Sequence, residues 1–296
     1  MESNTGLTNI GNTCYMNAGL QTIIHCGALT KLILDNKFDE PILMTYQQFL
    51  NDYLTSARTV NPSAVKLAVG IKNKLFLTSG QQDTHEFLIN FITILEEGFK
   101  KMDEKNGKNM FINNISLSNW ISKLFDCNIY SVVECPYCNY CSNKKEEHRF
   151  LSLPINELTS LDDCFNEFIK PETLEDKWFC EKCCHKVQAI KYFVINSTPK
   201  YLYIQFKRFT YDKKNKARKI DTEIYVPLLW KLNKSNYILK GVVKQSGGIN
   251  GGHYVSYVKN GGKWYHFNDS HVSVIDEDSV LAYAKQSYIL LYGKKN

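Results

Sequence analysis

Three groups of residues in this sequence have the types and spacing that chemistry needs: a cysteine in a polar turn, a histidine behind a run of glycines, and two C-x-x-C pairs. Cys14 lies in GNTCYMN, at the head of a run whose apolar residues Met16, Leu20, Ile23 and Ile24 recur close to helical spacing. Thr13 or Asn12 can cap that helix. A thiol at a helix start faces the positive end of the dipole, which favours thiolate and lowers a pKa of roughly 8.5. Position alone would equally suit a cysteine packed as a small apolar residue. The polar turn favours the reactive reading, because it brings backbone N–H groups to the helix mouth, where an oxyanion can be held.

A thiolate that attacks an amide needs a group to return a proton to the leaving amine, and histidine has the pKa for it. Seven histidines are available. His25, His148 and His185 read as surface or supporting residues, His85 falls in the polar first turn of a helix, and His266 and His271 flank a strand end. His253 differs. It follows SGGINGG and opens the strand HYVSYV, and such a loop lets backbone approach a bound chain closely. The next strand, KWYHFNDS, offers Asn268 and Asp269 to fix the tautomer of the imidazole. A plain strand-ending turn is the alternative for NDS. A carboxylate would hold an imidazolium better, yet alternation along a strand lets only one of the two face His253; either could accept from Nδ1, and the residues by themselves leave the choice open.

Cys135-Pro-Tyr-Cys138 and Cys180-Glu-Lys-Cys183 are paired knuckles of the kind that present four thiolates to one tetrahedral zinc. With no open ligand position and no adjacent motif for a bound water, one structural zinc per chain is expected. Cys141 and Cys184 lie beside the pairs and leave the ligand set open, while Cys26, Cys127 and Cys164 read as packing. A thioredoxin-like setting, which redox use would need, is missing around either pair.

Positioning these groups falls to two kinds of element. The stretch from Asp83 to Phe99 puts Phe87, Leu88, Phe91, Ile92, Leu95 and Phe99 on one helical face, with Asp83 as cap and Glu86 three residues on. Beyond about residue 190 the period becomes two, in KYFVIN, YLYIQF, YILKGVV, HYVSYV, KWYHF and YILLYG. Strands at Tyr201 to Phe206 and Tyr225 to Pro227 flank the basic segment TYDKKNKARKID, which is expected as an exposed connection. Helices first and sheet second predict an α+β fold with the cleft between the halves.

The 296 residues, 44% hydrophobic and 22% charged, exclude disorder and a fibrous chain and suffice for a core that needs no disulfides. No apolar run approaches the roughly 18 residues of a membrane span, and the first residues do not form a signal peptide. The chain is expected inside the cell, cytoplasmic or nuclear, with its ten cysteines reduced. The net charge of +6 is local, in Lys213, Lys214, Lys216, Arg218 and Lys219 and in Lys100, Lys101, Lys105 and Lys108, and reads as solvated loops rather than a nucleic-acid surface.

These residues together carry a resemblance. GLTNIGNTCYMNAGLQ resembles the cysteine box of the ubiquitin-specific proteases, and GGHYVSYVKNGGKWYHFNDSHV resembles their histidine box. Between them QQDTHEFL is similar to the family's QDAHEF segment, FLSLPI and KWFCEKC to its finger and palm landmarks, and YLYIQFKRF to its characteristic strand, so that the likeness runs from Gly6 to Tyr292.

The resemblance implies a papain-like cysteine protease core in one domain over 1–296, with a helical thumb (about 1–115), zinc-ribbon-like β fingers (about 125–205) and an antiparallel β-sheet palm (about 145–175 and 205–296). It implies hydrolysis after the C-terminal glycine of ubiquitin through a thioester, with Cys14 as nucleophile, His253 as base, Asn268 as third member, Asn9 as oxyanion donor and Asp269 in support. Asp83 would meet the arginines of the ubiquitin tail, Gly251 and Gly252 would line its channel, and residues 210–220 and 246–252 would be the two blocking loops. Zinc would sit in the fingers on Cys135, Cys138, Cys180 and Cys183. Ubiquitin, ubiquitinated proteins or polyubiquitin are the expected partners of a monomer, with targeting left to the domain surface or to another chain. Thr84, Ala18 and Asn268 depart from the usual alanine, serine and aspartate. Two other readings are a catalytically weak ubiquitin-binding scaffold and a zinc-ribbon nucleic-acid-binding module.

Overall fold

A computed structural model describes residues 3–105, 111–112, 115–211, 217–248 and 251–295. Helices come first: Cys14–Ile24, Gly27–Leu34, Pro41–Thr55, Ser63–Lys72, Thr84–Lys105 and Leu117–Phe125. The longest, Thr84–Lys105, buries Phe87, Leu88, Phe91, Ile92, Leu95 and Phe99 on one side, and Asp83 caps it by accepting the Glu86 N–H at 3.0 Å. The Cys14–Ile24 helix is buried on every face, polar residues included. Gln21 is matched: it donates to the Thr5 carbonyl at 2.8 Å and accepts from the Tyr53 hydroxyl at 2.8 Å. Neither Thr13 nor Asn12 caps this helix through its side chain; the Thr13 hydroxyl instead accepts from the Ile10 N–H at 3.0 Å.

The helices pack on an eight-stranded sheet. Its order runs His271–Ile275, Lys263–Asn268, Gly251–Asn260, Ser235–Gly248, Ser287–Lys294, Tyr201–Phe206, Phe150–Leu153, with Leu229–Leu232 also paired to Ser235–Gly248. Pairing is antiparallel except between Tyr201–Phe206 and Phe150–Leu153, which run parallel because the chain returns through the fingers region before laying down the second of them. One core lies between the helices and the sheet, and a second lies on the sheet's other face under Leu161–Ile169 and Glu277–Ala284. Arg208, buried at 2% exposure, donates to the carbonyls of Ser287, Ile220, Thr222 and Lys285 and so staples the segment after Tyr201–Phe206 to the sheet.

A separate four-stranded sheet, Cys141–His148, Cys127–Glu134, Ile190–Ser197 and Glu172–Thr173, projects beside a ribbon of Trp178–Cys180 and His185–Val187. The basic segment is not a simple connection: Phe209–Tyr211 pairs with Ala217–Lys219 as a hairpin, and Tyr225 makes one isolated bridge to Ser160 in place of the expected strand. Lys213, Lys214, Lys216 and Lys108 lie outside the described residues. No helix among the described residues is long and apolar enough to cross a membrane.

Candidate active site

The loop before Cys14 is organised by one side chain. Asn9 Oδ1 accepts the N–H groups of Gly11 and Thr13, both at 3.1 Å, so its amide nitrogen must point the other way. That nitrogen donates to Asp269 Oδ2 at 2.9 Å, and Asn17, one turn into the helix, donates to Asp269 Oδ1 at 2.8 Å. Asp269 is therefore clamped between two amides. It reaches them because the chain turns left-handed at φ 51° just past Asn268, while the Leu7 N–H donates to its carbonyl at 2.9 Å. Gly6 permits this approach: a Cβ there would stand 2.6 Å from the Ser270 carbonyl carbon.

Asn268 and Asp269 separate because the strand ends at Asn268 and Asp269 turns left-handed. Asn268 Oδ1 lies 2.6 Å from His253 Nε2, and Asp269 has turned away to the Cys14 loop. The nitrogen differs from the Nδ1 expected. An amide oxygen only accepts, so Nε2 carries the proton and Nδ1 is the nitrogen left to act as a base.

Cys14 is 3% exposed. Burial raises its thiol above the ordinary range, opposed by the Tyr254 N–H and reinforced by the negative charge of Asp269. The lowered pKa expected from the helix start is therefore absent in the free protein, and no hydrogen bond joins Cys14 to His253 among the described residues. The two nevertheless share a neighbourhood, because Tyr254, next to His253, turns its N–H to the Cys14 sulfur.

Around this centre Asp83 Oδ2 accepts the hydroxyls of Tyr288 at 2.7 Å and Tyr254 at 3.4 Å. Gly252 exchanges two hydrogen bonds with the side chain of Gln81, each 2.8 Å. Gly251 is exposed and opens the strand opposite Gly248; Ile249 and Asn250 of the glycine loop lie outside the described residues. Lys219 donates to the Gln245 carbonyl at 2.8 Å and the Gly247 carbonyl at 3.4 Å, tying the basic hairpin to that loop. Sequence reasoning named Asp83, Gly251 and Gly252 but missed Asn17, Gln81, Tyr254, Tyr288 and Lys219. Asn17, Gln81 and Tyr254 do lie in segments already singled out, GNTCYMN, QQDTHEFL and HYVSYV, but their residue types alone mark none of them.

Far along the chain from these, Cys135, Cys138, Cys180 and Cys183 place four sulfurs within 4.8 Å of one another. The pairs Cys135–Cys183 and Cys138–Cys180 stand 3.7 and 3.6 Å apart. A tetrahedron with metal–sulfur bonds of about 2.3 Å has edges of about 3.8 Å, so the residues fit a metal ion. Burial pushes the Cys135 thiol up, but the Tyr137 and Cys138 N–H groups and the other thiols outweigh it and bring it down to about 6. Cys183 goes up to about 12, chiefly through its hydrogen bond with Cys138. Four thiolates side by side need a cation. Cys141 and Cys184 are exposed and point elsewhere, to the carbonyls of Asn139 and Glu181.

Comparison with known proteins agrees with this architecture. The family model described as "Ubiquitin carboxyl-terminal hydrolase" matches residues 5–292. A curated relative, "Ubiquitin carboxyl-terminal hydrolase 4" of Arabidopsis thaliana, is 32% identical over 97% of this chain and 92% of its own length. Among solved structures, the SAGA Ubp8/Sgf11/Sus1/Sgf73 DUB module bound to ubiquitin aldehyde contains a chain that superposes with a TM-score of 0.83 and 26% identity, covering 99% of this chain and 70% of that one. The same module bound to monoubiquitin gives 0.81, 26%, 99% and 69%.

Proposed function

The chain belongs to the ubiquitin carboxyl-terminal hydrolase family, and from that premise we propose that it cleaves the bond after the C-terminal glycine of ubiquitin with Cys14, His253, Asn268 and Asn9 as its working groups. It is a thiol-dependent deubiquitinating hydrolase of α+β fold. The observation that carries the assignment of groups is the convergence of the Asn9 loop, the Cys14 helix start and the His253–Asn268 pair on one cleft.

His253, held through Nε2–H by Asn268, takes the Cys14 proton on Nδ1. The sulfur attacks the carbonyl carbon of the terminal glycine. Charge gathers on the carbonyl oxygen, where the second N–H of Asn9 is available, its first being engaged by Asp269. His253 returns the proton to the leaving amine, and water then releases ubiquitin from the thioester. Asp269 acts as a positioning residue through Asn9 and Asn17 rather than through His253. Burial holds the Cys14 thiol above its ordinary range in the free chain, so the proton is passed to His253 as the sulfur attacks.

Asp83 and the glycine-lined strand would receive the tail, a narrow passage that admits Gly-Gly and rejects bulkier residues. The thumb, fingers and palm correspond in this reading to the helices, the four-stranded sheet with its ribbon, and the eight-stranded sheet. The four knuckle cysteines would hold one structural zinc, which ties the ribbon to the strand turn and supplies no catalytic step. Ubiquitin, ubiquitinated proteins or polyubiquitin would be the partners of a monomeric intracellular enzyme. Release of a fluorophore from a ubiquitin C-terminal amide tests the proposal: wild-type turnover is expected, and binding of ubiquitin without turnover would leave a scaffold.

A further inference from the structure

Gln81 lies in the segment that leads into the Thr84–Lys105 helix, and its exposed carboxamide bonds twice to a single residue. Its Nε2 donates to the Gly252 carbonyl and its Oε1 accepts the Gly252 N–H, both at 2.8 Å. Only one orientation of the amide satisfies both. A carboxamide is a peptide group without a chain, so the pair is one rung of a β-ladder in which a side chain stands for a strand.

The rung is available because the Gly251–Asn260 strand has a bare edge. It pairs with Ser235–Gly248 down to Gly251, but with Lys263–Asn268 only from Ser256 onward. Residues alternate in the edge to which they direct N–H and C=O. Gly252 and Tyr254 share an edge, and Tyr254 aims its N–H at the Cys14 sulfur. An extended peptide whose reacting carbonyl sits at Cys14 and which runs back along this edge therefore needs the Gly252 N–H and C=O. In the free protein it finds Gln81 on them.

The glycine loop does not depend on that contact. Gln245 Nε2 donates to the Gly248 carbonyl at 3.1 Å, and Lys219 holds the Gln245 and Gly247 carbonyls from the other side. The segment just before Gln81 is likewise restrained, since Asn12 donates to the Ser79 carbonyl at 2.9 Å, so the side chain can leave without the loop.

We propose that Gln81 is a specificity-determining residue, an internal stand-in for the peptide group of the substrate tail that occupies the Gly252 edge until a tail with the right backbone displaces it. The proposal rests on the cleft being the site for a Gly-Gly tail. Its physical content is competition: the fraction of molecules with Gln81 docked reduces apparent affinity by that fraction, and a tail that cannot replace both hydrogen bonds is rejected.

The test uses the full chain and Gln81→Ala, with thermal melts to verify folding. On a ubiquitin-amide substrate KM is expected to fall about fivefold with kcat nearly unchanged. Independently of ubiquitin, labelling of Cys14 by a Gly-Gly chloromethyl ketone should accelerate by about the same factor, while labelling by iodoacetamide, which needs no strand edge, should not change. Gln81→Glu, which keeps the acceptor and loses the donor, should fall between. An unchanged or slower peptide-reagent rate in Gln81→Ala would overturn the proposal and make Gln81 an anchor of the strand. Failure of the wild type on ubiquitin would count against the function alone, because the ratio of the two labelling rates still reads the competition.

Discussion

Cysteine serves two regions of this molecule in opposite ways. In the knuckles four thiols stand together, each within reach of the others, and one is already brought down to about 6. In the cleft one thiol stands alone, buried beside the Asp269 charge and held high. The first arrangement is assembled by short-range geometry, since each C-x-x-C turn brings two sulfurs together by itself. The second draws Asn9, Cys14 and Asn17 from one end of the chain and His253, Asn268 and Asp269 from the other. The knuckle thiols thus act on one another, lowering Cys135 and raising Cys183, while the Cys14 thiol is raised by burial.

The sharpest break would be at Cys14. Cys14→Ala should lower turnover of a ubiquitin-amide substrate by more than about a thousandfold while ubiquitin binding, read by calorimetry, persists. Hydrolysis of di-ubiquitin by that variant would show that the lone thiol is not the nucleophile.

Removing the knuckle charge should cost stability and not chemistry. Metal analysis should find one zinc per chain, and Cys138→Ser with Cys180→Ser should lose it and lower Tm by about 5 °C or more. Labelling of Cys14 by iodoacetamide should be unaffected in the same protein. Full zinc occupancy in the double variant would bring Cys141 or Cys184 into the ligand set.

Asp269 and Asn268 test how the cleft is assembled from its two ends. Asp269→Ala, which frees Asn9 and Asn17, should lower kcat by about a hundredfold and, because its charge helps to raise the Cys14 thiol, move the thiol limb of the pH profile to lower pH. Asn268→Ala, which frees His253, should cost about tenfold and shift the profile. The reverse pattern would mean that Asp269 turns to the imidazole when substrate binds.

The smallest effect is a matter of pH. A thiol raised by burial is protonated at neutrality, so alkylation of Cys14 in the free chain should still be climbing at pH 9. A plateau below pH 8 would place a thiolate in the cleft before substrate does.

The elements and the ligand spacing could be read without coordinates, because each is a local property. Phe87 to Phe99 mark one face of a helix by their period, and Cys135 with Cys138 mark a knuckle by theirs. Strand alternation says only that one of Asn268 and Asp269 can face His253 where the strand runs on, and it ends at Asn268. Alternation does not say where the rejected residue goes, and it was the left-handed turn at Asp269, with Gly6 making room, that sent its carboxylate to Asn9 and Asn17. The Cys14 thiol was misjudged for a related reason: a helix start is visible in a sequence, but burial to 3% and a nearby carboxylate are sums over partners far along the chain. Gln81 on Gly252 was decided the same way, by where one strand stops short of its neighbour. Tertiary structure alone decides such contacts, since desolvation and hydrogen bonding depend on the groups that packing brings within a few ångströms, and sequence separation carries almost none of that information.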